Sequence, residues 1–286
     1  MSKSIILTFD VEEWFHTTFM TKYIPVNLLE ESRVEHNISM PLELLAKYDI
    51  PATFFVLGEL AQSKPKVIKK IVGSNAQHEI ASHAYHHELI FEQSDALIEK
   101  NVVESKKCLE DLSGRKIKGF RAPYFSINDY AIEKLIEAGY EYDSSLHDFR
   151  LNPQYGHLTV GMEATSSPGI FHYNGIHEVT IPVKRYLKFL KFPFGGGGYF
   201  RLYPLTLQHY WIRSFLKSSD YFLMYMHPWE FDNEQPYIKQ APYVSRKRHY
   251  LGIKNHYNKT EKLITRLKDD GYNFVTMSEY LSTLRD

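Results

Sequence analysis

The sequence predicts an α/β fold: a mostly parallel sheet, closed or nearly closed into a barrel of about seven to eight strands, with one irregular insertion. Two patterns carry this. About eight short apolar runs recur along the 286 residues, and amphipathic helical stretches lie between them. The runs are apolar throughout rather than alternating, which fits strands buried on both faces, as in parallel sheets. A hydrophobic fraction of 43% is ample for a core and too high for a disordered chain.

The first run, 5–9, ends in acidic residues. The second, 51–57, is closed by Gly58, and short runs follow at 79–81, 117–120 and 140–142. Later ones lie at 177–183, 221–226 and 274–276. Between them, Ile98, Val102, Leu109 and Leu112 share one face of a long helix. Ser126 with Asp129 reads as a capping box, Ile132, Leu135 and Ile136 form a buried stripe, and Gly139 is a natural stop. Leu263, Ile264 and Leu267 before Gly271 repeat that design. Residues 144–220 are irregular and rich in aromatics and glycine. No repeat or linker divides the chain, so 1–286 reads as a single domain with an insertion.

Lys and Arg number 34 and Asp and Glu 34, a net charge of zero. That argues against a dedicated binder of nucleic acid or of anionic membranes. The single cysteine, Cys108, excludes an intrachain disulfide and a cysteine-rich zinc site. A metal would need histidine and carboxylate ligands, and there are 14 histidines. The start lacks the apolar core of roughly 7–15 residues that a secretory signal needs, and no run approaches a membrane span. The chain as given reads as cytoplasmic.

In parallel α/β folds, chemistry gathers beyond the carboxyl ends of the strands. The first run ends Asp10-Val11-Glu12, whose spacing puts both carboxylates on one face of extended backbone. Such a pair serves metal binding or acid–base work. The third leads into His83-Ala-Tyr-His-His87, a spacing of four that would align two imidazoles on one helical turn. Two histidines and a carboxylate suit zinc and leave positions open for water and substrate. Arg121-Ala-Pro-Tyr124 offers a guanidinium held by a rigid turn. His227-Pro228-Trp229 offers a strand-end histidine suited to a general acid. His78 and His86 have no selecting spacing and read as structural. Gly195 to Gly198 lacks the ending of a phosphate-binding loop and reads as a mobile loop that does not directly open a helix.

In this order the motifs resemble the polysaccharide deacetylase family (the NodB-homology domain, a carbohydrate esterase). Phe194-Gly-Gly-Gly-Gly-Tyr-Phe-Arg201 and His227-Pro-Trp-Glu-Phe-Asp232 resemble a subgroup associated with exopolysaccharide and surface-glycan assembly. The resemblance implies a distorted (β/α) barrel and metal-dependent removal of acetyl from an N-acetylated sugar or oligosaccharide. It implies Asp10 as general base, His83 and His87 as metal ligands, Arg121 as the group that orients Asp10, and His227 as general acid. Val11 stands where the family usually has a metal-binding aspartate, so Glu12 is expected to replace it. Ala84 replaces a usual Ser or Thr, and Tyr225 a usual Leu. Asp143, in preference to Asp148, is expected to orient His227.

The ion expected is divalent, zinc first, with Co, Ni, Mn or Fe also suited to this donor set. A backbone N–H near Tyr124 would bind the oxyanion, and Trp14, Phe15, Tyr199 and Trp229 are candidates for stacking on sugar rings. Two rivals remain: a deformylase or cyclic-imide hydrolase acting on a small molecule, and a non-catalytic glycan-binding protein.

Overall fold

A computed structural model describes residues 3–74, 77–147, 152–186 and 190–284. Its strands, in chain order, are β1 (Ser4–Val11), β2 (Thr53–Val56), β3 (Glu79–Ser82), β4 (Gly119–Phe120), β5 (Tyr142–Asp143), β6 (Glu163–Ala164), β7 (Ile170–Tyr173), β8 (Ile176–Val179), β9 (Val183–Tyr186), β10 (Leu190–Pro193), β11 (Tyr221–Met226) and β12 (Asn273–Phe274). Ten form one sheet, ordered β11-β1-β2-β3-β4-β5-β8-β7-β6, with β12 also paired to β1. β9 and β10 make a separate antiparallel pair. Every pairing from β11 across to β8 is parallel, and only those that join β6, β7 and β8 are antiparallel. The α/β class and the mostly parallel sheet are as the sequence predicts. Among the described residues no pairing joins β11 to β6, so the ladder is an open path.

The apolar runs become the most buried strands. β2 and β11 are buried along their whole length, and β1 everywhere but at Ser4. The run at 177–183 divides: β8 ends at Val179 and β9 starts at Val183. Pro182, which has no N–H to give a ladder, stands in the gap. The long helix Asp95–Ser113 buries Ile98, Val102 and Leu109 as expected, whereas Leu112 in its last turn is 39% exposed.

The expected capping box at Ser126 is not formed. Asn128 caps the helix Asp129–Glu137 by accepting from Ala131 N at 2.8 Å. Ser126 Oγ instead accepts from Ile90 N and donates to Pro123 O, tying two loops together. Gly139 and Gly271 take the left-handed conformation expected of helix stops, with φ of 72° and 81°.

Gly195 to Gly198 is pinned rather than free. Tyr225 N donates to Gly195 O at 2.8 Å, and Gly196 forms a parallel bridge with Tyr225. Gly196 has φ 142°, and a Cβ there would lie 1.8 Å from Tyr225 O. Glycine is needed for this approach to the edge of β11. The helix Gly197–Leu202 opens directly from the run, contrary to expectation.

Register decides what meets at the carboxyl edge. Phe9 pairs with Met226, so the next residues, Asp10 and His227, leave the sheet side by side. Ser82 pairs with Phe120, which does the same for His83 and Arg121. No helix among the described residues is long and apolar enough to cross a membrane.

Candidate active site

At that edge lies a cavity of about 280 Å³, lined by Asp10, Glu12, His83, His87, Tyr124 and His227, and on its other walls by Phe19, Tyr155, Tyr199, Tyr225 and Arg248. Asp10 is 2% exposed and accepts from Arg121 Nη1 at 2.6 Å. The same nitrogen reaches Thr8 Oγ1, while Nε and Nη2 of Arg121 donate to Ser144 O and Oγ. With Phe55 packed 4.0 Å from its guanidinium, Arg121 has little freedom to leave Asp10. Burial alone would push the Asp10 carboxyl up. The Arg121 charge and hydrogen bond, together with the nearby imidazoles of His83 and His227, outweigh it and hold the carboxyl below its usual range.

Glu12, His83 and His87 present one ligand atom each, all within 4.8 Å of one another. His83 Nδ1 lies 2.8 Å from Arg121 O, a bond that fixes the ring and leaves Nε2 for the site. His87 Nε2 is in direct contact with Glu12 Oε2. Burial lowers the His83 imidazole to about 4 and that of His87 to about 3, so both are neutral ligands at pH 7. This donor set fits a divalent ion. The two histidines do not share a helical turn. They occupy a loop after β3, with Ala84 at φ 64°, and converge to a ring separation of 5.5 Å. His16, which the sequence did not single out, stacks on His87 at 4.8 Å and also lines the cavity.

His227 Nε2 is 3.2 Å from Glu12 Oε1, and its Nδ1 is 3.1 Å from Glu230 Oε2. Burial disfavours its charged form, but the Glu12 and Glu230 carboxylates prevail and raise it to about 9. Glu230 Oε2 also accepts from His227 N at 2.9 Å, and its Oε1 accepts from Arg201 Nε at 2.7 Å. Arg201 is fastened in turn to the carbonyls of His249 and Leu251.

Glu230, not Asp143, therefore orients His227. Asp143 is fully buried and spends its carboxyl on Ser145 and Glu178, beside β8 rather than β11. Asp148 lies outside the described residues. The reason is positional: a glutamate three residues after His227 sits inside its own turn, closer than any residue of β5. Both Glu230 and Arg201 fall within the two stretches, 194–201 and 227–232, on which the resemblance to a subgroup rests.

Trp229 departs from its expected stacking role. It is 3% exposed, its ring stacks with His249 at 4.7 Å and His227 at 5.4 Å, and its Nε1 donates to Glu12. It holds the site together and has no open face for a sugar. Trp14 is fully buried in the same apolar cluster as Trp229. Tyr199 does line the cavity. Tyr124 stands at its mouth with its hydroxyl on His16 O and its ring 4.4 Å from His87. Its φ of 54°, followed by 59° at Phe125, is strain of the kind found where a fold holds a functional turn. His78 and His86 are engaged elsewhere, with Ala52 N and Glu59.

Residues 1–142 match the polysaccharide deacetylase family, and residues 144–282 match a domain of unknown function (DUF3473). Among curated proteins, the chain is 31% identical over 121 residues to a peptidoglycan deacetylase of Helicobacter pylori, covering 42% of this chain and 41% of that one. It is 33% identical over 100 residues to a peptidoglycan-N-acetylglucosamine deacetylase of Bacillus cereus, covering 35% and 46%. The chain thus spans less than half the length of these relatives. Among solved structures, a family 4 acetyl xylan esterase from Clostridium thermocellum, in complex with a cobalt ion, superposes with a TM-score of 0.53 at 16% identity, over 98% of this chain and 91% of that one.

Proposed function

The chain belongs, through residues 1–142, to the polysaccharide deacetylase family, and we propose that it hydrolyses the N-acetyl group of an amino sugar in a polysaccharide or surface-glycan precursor, releasing acetate. Residues 1–286 act in this reading as one catalytic unit. A divalent ion, zinc first, would be held by Glu12, His83 and His87. The observation that carries the reading is the company of that donor set: a carboxylate kept ionised by Arg121 and a histidine raised to about 9 meet at one cavity.

An amide resists hydrolysis because its carbonyl is a poor electrophile and its nitrogen a poor leaving group. When bound, a divalent ion polarises such a carbonyl and lowers the pKa of water from 15.7 to about 7. Asp10 takes the proton from the water as its oxygen bonds to the acetyl carbon, and the Arg121 contact keeps Asp10 available as a base. A backbone N–H at the Tyr124 turn faces the developing oxyanion. His227 gives its Nε2 proton to the sugar nitrogen as the C–N bond breaks, and Glu230 keeps Nδ1 in place. The products are acetate and a free amine, and without that proton transfer the amide re-forms.

The test is acetate release from N-acetylglucosamine oligomers by zinc- or cobalt-loaded protein. Asp10→Asn is expected to keep the metal and lose about 10²–10⁴-fold in kcat, and His83→Ala to lose the metal. Formate in place of acetate would favour the small-molecule amidohydrolase. Full activity of metal-free Asp10→Asn protein would sink the scheme.

A further inference from the structure

The net charge of zero conceals a marked segregation. From residue 235 to residue 260 there are six Lys and Arg residues and no Asp or Glu, and from 14 to 29 there is one lysine and again no acid. The two stretches are neighbours in space, since the short helix Thr18–Thr21 packs against the helix Tyr243–Tyr250. Lys259 is occupied, its Nζ held by backbone carbonyls. The cations of Lys22, Lys239, Arg246, Lys247, Arg248 and Lys254 form no ion pair among the described residues.

Aromatic rings interleave with them. The Arg248 guanidinium lies 4.5 Å from the Phe19 ring centroid, Lys247 Nζ 5.6 Å from that of Tyr243, and the Arg246 guanidinium 5.8 Å from that of Tyr237. Tyr237 and Tyr243 are 56% and 64% exposed. Each cation is thus steadied by a ring; Lys247 and Arg248 are exposed to solvent, and Arg246 is half-buried with Nη1 donating to the Tyr237 hydroxyl. The patch also runs into the cleft, because Phe19, Arg248 and Leu251 line the same cavity as Asp10 and His227. Inside, the charges are already paired, Asp10 with Arg121 and Glu230 with Arg201. Arg248 is the lining cation without a carboxylate among the described residues. A cavity of about 280 Å³ takes roughly one sugar ring, so the rest of a chain must lie on the rim.

We infer that this basic, aromatic rim, from Lys22 and Phe19 across to Arg248 and Tyr243, binds the substrate chain, and that the substrate is an acidic glycan carrying carboxylates on the sugars next to the reacting N-acetyl group. Pyranose faces stack on the rings, and carboxylates meet the arginine and lysine heads. Duplex nucleic acid and anionic membranes share the charge but do not need a rim that leads into a hydrolytic cleft. The inference rests on the deacetylase reading for the identity of the reacting group and deepens it by naming the substrate class.

Two oligosaccharides of equal length test it with the metal-loaded full chain, one alternating N-acetylglucosamine with glucuronate and one of N-acetylglucosamine alone. Calorimetry reads their binding and acetate release reads their turnover. The acidic chain is expected to bind about tenfold tighter at low salt, the size of a few screened ion pairs. That preference is expected to shrink toward one at high salt, and in the triple variant Arg246→Gln, Lys247→Gln, Arg248→Gln. Equal binding of the two chains, or a preference the triple variant does not move, overturns it. So does tighter binding of a nucleoside-diphosphate-linked N-acetyl sugar, duplex DNA or phosphatidylglycerol vesicles than of the acidic chain. Acidic preference without acetate from either chain would leave the inference standing and remove the deacetylase reading. Acetate from the neutral chain with no acidic preference would do the reverse.

Discussion

Replacing Glu230 with glutamine separates two jobs that one carboxylate performs. Its Oε2 fixes His227 through both the backbone N–H and the ring, and its Oε1 neutralises Arg201. The Glu230 side chain is fully buried and that of Arg201 3% exposed. Glutamine keeps the shape but strands the guanidinium without a counter-charge. Removing one partner of a buried pair costs about 3–5 kcal/mol. The His249 and Leu251 carbonyls still accept from Arg201, which places the loss near the lower end. For catalysis, His227 loses a carboxylate that holds its Nδ1 and stabilises its protonated form. Loss of an orienting carboxylate from a histidine costs about 10⁴-fold in a serine protease, so a fall of about 10²–10⁴-fold in kcat is expected.

The two effects part company in a cycle. Urea unfolding and acetate release would be measured on Glu230→Gln, Arg201→Met and the double variant. With neither charge present, nothing is stranded, and the double variant is expected to recover to within about 1–2 kcal/mol of the parent stability. Its kcat is expected to stay at least about a hundredfold down, because His227 still lacks its partner. Recovery of kcat together with stability would refute the argument, for it would make Glu230 a structural residue only. A single Glu230→Gln variant with parental kcat would refute it more directly.

Two further predictions concern stability. The buried Asp143 and Glu178 carboxyls are hydrogen-bonded to each other, which requires one shared proton, and burial together with the Asp143 charge holds the Glu178 carboxyl well above its usual range. A raised carboxyl in the folded state means that the unfolded state binds fewer protons, so stability falls as pH rises above 4.5 toward the folded value. Glu178→Gln keeps an acceptor for Leu146 N and offers Asp143 a donor. It is expected to melt higher than the parent at pH 8, with the gain vanishing toward pH 4 and growing by at most about 1.4 kcal/mol per pH unit between. An equal difference at both pH values would contradict the shared-proton account. Gly196→Ala, at φ 142° and with its Cβ 1.8 Å from Tyr225 O, is expected to lose about 2–4 kcal/mol in urea unfolding. Gly198→Ala, whose Cβ would meet Arg201 Nη2 at 3.6 Å, is expected to stay within about 0.5 kcal/mol of the parent.

The sheet was legible because its strands are apolar on both faces, and the candidate ligands because they sit where such strands end. Asp10 and Glu12 share a face for the reason their spacing implies. His83 and His87 meet through a loop with a left-handed alanine, which no periodicity reports. Glu230 was hidden by an expectation of aspartate from another strand, although it lies three residues from the histidine it serves. Trp229 reads as a sugar platform only until its neighbours are known, because two imidazoles already pack on its ring. The balance of 34 against 34 charges is true of the whole chain and misleading for its rim, since counts carry no positions.

The division of the chain between two family models cuts across the chemistry. Asp10, Glu12, His83, His87 and Arg121 come from residues 1–142, and Arg201, His227, Glu230 and Arg248 from residues 144–282. In the proposed reaction the first set would supply the metal ligands and the base, but no acid to release an amine. The second would supply the acid, its orienting pair and the basic rim, but no base or ligands. β11 joins them, pairing with β1 in parallel over six residues from Ser4↔Tyr221 to Phe9↔Met226. A slip of one residue in that pairing would turn Asp10 or His227 to the opposite face. The segment of unknown function therefore has a physical role in the proposed reaction: it covers the open edge of β1 and, by the same hydrogen bonds, sets the acid beside the base.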